Sequence, residues 1–253
     1  MIPYVSYTSI PLGPLTIQVW GLLVALGIVT GTWLSSRELK KRGLPTTHLY
    51  DLAFWVVVAA MLMARVFHVV FYEPTYYLAY PAEMIAIWHG GLSFIGGLVG
   101  AAIAVFVYAN RKKLSFAYID ACIYGLPLGM FIGRIGCFLI HDHPGTLTHF
   151  LIGVEYPNGM IRHDLGLYES LTGLALFALF LVLNRKPRLP GFWVATFCAG
   201  YGMARFFLDF LRLSAAEGGD ARYFGLTPAQ YGALVMVGVG VFLLNKQKHQ
   251  TLS

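Results

Sequence analysis

The chain has 253 residues, 57% of them hydrophobic and only 12% charged, with a formal net charge of +6 and a mean hydropathy of +0.65. That balance excludes an ordinary soluble globular domain. The positive charge comes without a basic patch interleaved with aromatics, so it is not a nucleic-acid footprint.

In chain order, residues 1–10 carry no lysine or arginine and offer no signal-peptide n-region, so the first apolar stretch is expected to persist as a helix. Stretches long enough, or nearly so, to span a bilayer lie near 15–36, 50–71, 90–109, 119–140, 166–184, 190–211 and 228–245. The fourth contains Pro127 and three later glycines. The expected fold class is all-α: a polytopic membrane protein of about seven transmembrane helices, forming a single domain over residues 1–253.

Basic residues then set the topology. Arg37, Lys40, Lys41 and Arg42 follow the first span, and Arg111, Lys112 and Lys113 the third. Arg185, Lys186 and Arg188 follow the fifth, and Lys246 and Lys248 the seventh. The opposite side holds Arg162, Arg212 and Arg222. The asymmetry predicts an external N-terminus and a cytoplasmic C-terminus. The connections near 141–165 and 212–227 are then external, and loops of that length tend to be functional. Cys122, Cys137 and Cys198 lie in apolar stretches and are odd in number, which suits neither a disulfide framework nor spaced zinc ligands.

Arg65, Arg134 and Arg205 fall within spans, where a centrally placed arginine costs roughly 2.5–3.5 kcal/mol on insertion scales. Each sits late in an outward-running span. Trp20-Gly21, the glycines at 90, 91, 96 and 97, and Tyr168-Glu169 sit early in inward-running spans. All map to the outer half of the membrane, which predicts one outward-facing polar cavity. Simpler readings stand beside this one. Arg205 and Asp209 are four apart and can form an intrahelical ion pair. Arg65, three residues from His68, can snorkel to the interface. Gly96 and Gly97 can serve helix packing, and Trp20 can be a belt residue. Arg134 has no acidic residue within one turn, so its position points to an anion, a partner or a cavity. Gly133 and Gly136 beside it admit a ligand or a neighbouring helix. His141, Asp142 and His143, with His149 and His163 in the same loop, leave a metal reading open beside solvated or capping roles.

Arg134, Glu169, Arg205 and the glycines at 90, 91, 96 and 97 fall in four segments that resemble the prolipoprotein diacylglyceryl transferases. Residues 87–98, IWHGGLSFIGGL, are similar to W-x-G-G-[ML]-S-F-H-G-G, and 133–138, GRIGCF, to G-R-x-G-N-F. Residues 162–169, RHDLGLYE, resemble R-H-P-S-Q-L-Y-E, and 201–210, YGMARFFLDF, resemble Y-G-x-x-R-F-x-x-E-F. The likeness covers most of the chain. It implies transfer of the sn-1,2-diacylglyceryl group of phosphatidylglycerol to the lipobox cysteine of a prolipoprotein, at the outer face of the bacterial cytoplasmic membrane, without a cofactor or an assigned metal. Arg134 and Arg205 match the family arginines expected to bind phosphate, and Glu169 matches a glutamate that orients an arginine or the head group. Arg65, His68, Gly96, Gly97, Cys137, Asp142, Tyr168 and Asp209 are expected to line the substrate site.

The chain departs from the family pattern at five places. Ile95 stands for histidine, Cys137 for asparagine and Trp20 for tyrosine, while Asp142 and Asp209 stand for glutamates. Isoleucine cannot accept a proton, so a base for the thiol must come from elsewhere, with His68, His141 and His143 as candidates. The retained arginines with altered proton-handling groups fit a divergent paralogue. Transfer to another acceptor and phospholipid binding without turnover are the alternative readings.

Overall fold

A computed structural model describes residues 1–13, 15–87, 90–214, 217, 219–220 and 222–250. In chain order, β1 (Ile2–Pro3), β2 (Ser9–Leu12) and β3 (Leu15–Gln18) precede α1 (Val19–Lys41). Next come α2 (Thr47–Phe71), α3 (Pro74–Ala79), a 3-10 turn (Pro81–Ile85), α4 (Phe94–Lys112), α5 (Phe116–Ile123) and α6 (Leu126–Ile140). Then β4 (Pro144–Leu147), β5 (Val154–Glu155) and β6 (Ile161–Asp164) lead into α7 (Leu165–Leu183), α8 (Phe192–Leu208), a 3-10 turn (Asp209–Leu211) and α9 (Pro228–Gln250).

The chain is a mainly helical, polytopic membrane protein. Among the described residues, six helical segments are long and apolar enough to cross a bilayer: α1, α2, α5 with α6, α7, α8 with its 3-10 turn, and α9. The third predicted span corresponds to α4, 19 residues long. Large apolar side chains face outward, including Leu62, Phe106, Val182 and Phe242, each more than half exposed. In water such a surface would be an aggregation hazard; in lipid it is the solvated face.

Three element boundaries differ from the sequence expectation for local reasons. Residues 15–18 pair with β2 in a hairpin instead of starting α1. α4 begins only at Phe94, because Gly90 and Gly91 adopt φ of +87° and +71°, a left-handed backbone that glycine adopts without a steric penalty. The side chain of Ser93 then caps α4 by accepting from the Gly96 N–H at 3.3 Å. The fourth span is interrupted at residues 124–125, and Pro127 falls in the first turn of α6, where its missing N–H is harmless.

The chain divides into two compact units, residues 1–38 with 120–253, and residues 39–119. In the first, α6 packs against α7 and α8 against α9. Tyr124, Leu176, Phe180, Trp193, Phe197 and Tyr201 form its buried core. Asp120, fully buried, accepts from the Trp193 and Val194 N–H groups at 2.8 and 3.0 Å, capping the start of α8 from another segment. α1 and α6 cross at glycines, since a Cβ on Gly129 would stand 2.7 Å from the Gly27 carbonyl oxygen. A Cβ on Gly136 would stand 3.2 Å from the Trp20 Cα, so the helix-packing reading holds for that glycine. The loop expected at 141–165 is partly a sheet of order β1-β5-β6-β4, with β1 parallel to β5 and the other pairs antiparallel.

In the second unit, α2 packs on α4. Gly96, expected to line a substrate site, instead lets the helices meet: a Cβ there would fall 2.6 Å from the Phe67 Cβ. Gly97 faces the same helix at ordinary contact distances, 3.7 Å from the Ala60 oxygen. Arg65, expected beside the substrate, is held by backbone carbonyls. Its side chain is buried and does not snorkel. Nε donates to the Met84 carbonyl at 3.0 Å, Nη1 to Gly90 and Gly91, and Nη2 to Glu83 and Ala86. All five guanidinium N–H groups are engaged by backbone, so Arg65 clamps the turns after α3 and has no donor left for a phosphate. Arg65→Met should therefore destabilise this unit by about 3 kcal/mol or more and speed proteolysis between residues 73 and 87. Wild-type protease resistance in the variant would refute the clamp.

His68 lies beside this turn, stacked on Tyr72 at 5.3 Å and edge-on to Tyr77 at 6.0 Å. A Cβ on Gly91 would come within 2.7 Å of its ring. Ile95 is exposed. Trp88 and His89, part of the glycine-rich motif, lie outside the described residues.

Candidate active site

Three helices of the first unit bring the costly residues together. Arg134 projects from α6, Glu169 from the first turns of α7 and Arg205 from the last turn of α8. Glu169 is 1% exposed and lies between the guanidiniums: Oε2 is 2.7 Å from Arg134 Nη2, and Oε1 contacts Arg205 Nη1. The Arg134 contact is an ion pair whose angles miss those of a hydrogen bond, leaving Glu169 Oε2 without a donor. Two positive charges thus share one negative charge, and the trio carries one net positive charge. The Tyr201 hydroxyl lies against Arg134 in the same cluster.

The strand-to-helix junction explains why Glu169 is placed so firmly. Asp164 ends β6 and N-caps α7, accepting from the Leu167 N–H at 3.1 Å. Its other carboxylate oxygen meets His141 Nδ1 at 2.7 Å and accepts from the Tyr156 hydroxyl at 3.1 Å. His141 stacks on Tyr4 at 4.2 Å, and its Nε2 is 3.3 Å from the Val5 carbonyl. With both ring nitrogens engaged in a buried setting, His141 is an architectural residue and not an available base.

Arg205 is tied more tightly than Arg134. Its Nη2 is 3.1 Å from Asp209 Oδ1, as the four-residue spacing predicts, and its Nε is buried without a hydrogen-bond partner. Asp209, fully buried, also takes Arg212 Nε at 3.0 Å and the Thr227 hydroxyl. Arg212 and Thr227 were not singled out from sequence, although the three-residue step from Asp209 to Arg212 was a readable signal. Arg134 is 18% exposed at its side chain, against 7% for Arg205. Its Nη1 points to Cys137 Sγ at 3.8 Å, a weak contact on the more exposed side of the guanidinium pair.

Asp142 and His143 follow the left-handed His141 that ends α6, and this turn folds them back over Cys137. His143 Nδ1 pairs with Asp142 Oδ1. Burial pulls the His143 imidazolium down. Hydrogen bonds with Asp142 and Cys137 and the Asp142 charge outweigh that and hold it up to about 9, against a lowering by the Arg134 charge. Tyr168 turns away from the arginines: its hydroxyl shares a 2.7 Å hydrogen bond with His163 Nδ1. Burial lowers the His163 pKa, favouring the neutral ring. Both line an open groove of about 550 Å³ with Phe150, Leu171, Leu208 and Leu211, whose apolar walls suit a hydrocarbon chain better than a head group.

An apolar helical frame holding two guanidiniums around one buried carboxylate defines an integral membrane protein with a charged cluster among its helices. Residues 8–245 match the family described as prolipoprotein diacylglyceryl transferase. The chain is 36% identical over 249 residues to the phosphatidylglycerol–prolipoprotein diacylglyceryl transferase of Nitrosomonas europaea, covering 96% of this chain and 90% of that one. It is 34% identical to the proteins of the same name from Ectopseudomonas mendocina and Pseudomonas aeruginosa, covering 96% of this chain in each case and 95% and 93% of theirs. The chain belongs to the prolipoprotein diacylglyceryl transferase family.

Proposed function

We propose that the protein transfers the sn-1,2-diacylglyceryl group of phosphatidylglycerol to the lipobox cysteine thiol of a prolipoprotein, releasing glycerol phosphate. The reaction takes place at the outer face of the bacterial cytoplasmic membrane, with the N-terminus outside as the basic loops imply. The observation that carries this reading is the charge balance at Glu169. Arg134 and Arg205 share the buried Glu169, Arg205 and Arg212 share the buried Asp209, and the one positive charge in excess of these buried carboxylates matches the single negative charge of a phosphodiester.

In the reaction the acceptor sulfur attacks the glycerol carbon, a carbon–sulfur bond forms, and the carbon–oxygen bond to phosphorus breaks. The departing phosphate gains a second negative charge. A guanidinium already held in place stabilises that charge more than it stabilises the ground state. Arg134, the more exposed of the two guanidiniums, takes this role, with the planar fork that suits phosphate oxygens. Arg205 supplies charge from behind, and Glu169 fixes the spacing of the two. The groove beside Tyr168 accommodates an acyl chain of the donor. Purified protein in vesicles with phosphatidylglycerol and a lipobox peptide should yield a thioether-linked diacylglyceryl peptide by mass spectrometry. If glycerol phosphate is released but the peptide is unmodified, the acceptor assignment fails; no turnover of any phospholipid donor would sink the enzyme reading.

A further inference from the structure

We propose that Cys137, Asp142 and His143 form a zinc site that holds the acceptor sulfur as a thiolate; this rests on the transferase reading above. The sulfur of Cys137, a carboxylate oxygen of Asp142 and a ring nitrogen of His143 all lie within 4.8 Å of one another. Tetrahedral zinc, with bonds of about 2.3 Å to sulfur and about 2.0 Å to nitrogen and oxygen, would replace the His143–Asp142 hydrogen bond and gather the three donors on one ion, within the reach of rotamer adjustment. The set mixes a soft thiolate, an imidazole and a carboxylate, which favours zinc over magnesium or calcium. Cys137 is 5% exposed, whereas the Asp142 and His143 side chains are 34% and 28% exposed. The ion would therefore be anchored from the protein side and open toward solvent, with three protein ligands and a vacant fourth position, the pattern of reactive rather than structural zinc.

The placement suits the chemistry. Attack on a carbon that carries a phosphate leaving group requires the sulfur on one side of that carbon and the anion site on the other. Arg134 Nη1 stands 3.8 Å from Cys137 Sγ, so the two subsites adjoin. The positive charge of Arg134 does not exclude the ion, because the Cys137 thiolate and the Asp142 carboxylate together neutralise it. Loading releases the protons that the thiol and the imidazole otherwise carry. Binding of the acceptor thiol at the fourth position releases its proton to solvent and leaves a nucleophilic thiolate at neutral pH. Sulfur then bonds to the glycerol carbon, and the electron pair of the broken carbon–oxygen bond departs with phosphate. The thioether product is a weaker ligand than the thiolate, and dissociates.

Cobalt(II) tests the site, since it reports sulfur ligation by absorption. Detergent-purified protein stripped with a chelator should take up about one equivalent per chain, with a sulfur-to-cobalt charge-transfer band and intense tetrahedral d–d bands. Cys137→Ser should abolish the charge-transfer band. His143→Ala should weaken binding by more than the roughly 10–100-fold that outer-sphere partners contribute, and a lipobox peptide should strengthen the sulfur band. Zinc should restore thioether formation to stripped protein. Absence of a sulfur band in folded wild-type protein, or full transfer by protein stripped of metal, overturns the proposal while leaving the transferase reading intact. Cobalt bound through Cys137 without thioether formation under zinc would instead support the site and count against the transferase reading.

Discussion

Arg134→Ala should abolish diacylglyceryl transfer while the protein inserts and folds. Removing the guanidinium leaves Glu169 paired with Arg205, so no buried charge loses its last partner, and the helix becomes more apolar. What disappears is the surplus positive charge and the more exposed of the two guanidiniums around Glu169. Loss of one preorganised donor to a developing oxyanion lowers turnover by roughly 10²–10³, and loss of the whole guanidinium should reach at least that. Arg134→Lys keeps the charge but not the planar fork and should fall between. The measurement is the initial rate of thioether formation in proteoliposomes, beside a size-exclusion profile that certifies folding. Near-normal turnover in the alanine variant would remove Arg134 from the reaction.

Glu169→Gln should act in the opposite way, through stability first. Glu169 is 1% exposed and contacts both guanidiniums. The amide preserves its shape but removes the only charge between them, and breaking a buried ion pair from one side costs roughly 3–5 kcal/mol. The variant should show a clearly lower apparent melting temperature in detergent, and no activity. Adding Arg134→Met removes the cation that loses its carboxylate, while Arg205 keeps Asp209 at 3.1 Å. The double variant should therefore recover stability relative to Glu169→Gln alone, with coupling on the order of 0.5–3 kcal/mol in a double-mutant cycle, but not activity. A Glu169→Gln protein as stable as wild type would mean that the trio is not the charge-balanced unit described.

The helical frame was legible because crossing a bilayer requires long apolar helices and little else. Arg134, Glu169 and Arg205 stood out for the same reason: each is an expensive group in an apolar run. Their mutual contact was not legible, since 36 residues separate Glu169 from Arg205 and only the packing of α6, α7 and α8 joins them. The sheet of β1, β4, β5 and β6 was missed because strands of two to four residues are too short to show alternation. The charge of Arg65 within a span and the motif around Gly96 point to substrate groups. Their surroundings, five backbone carbonyls for one and the opposing helix for the other, are tertiary facts that no local pattern encodes. The histidines illustrate the same limit. His141 and His143 are two apart in one loop, yet one is locked to Asp164 and the other faces Cys137 and Asp142.

The central claim is that the surplus positive charge at Glu169 receives the donor phosphate. An experimental structure with a phosphonate analogue of phosphatidylglycerol, in which carbon replaces the scissile oxygen, tests it most directly. The phosphonate should bind with its oxygens on the Arg134 guanidinium, close to Arg205, and with an acyl chain in the groove beside Tyr168. A phosphonate held elsewhere, with Arg134 and Glu169 still paired and untouched by the ligand, would contradict it.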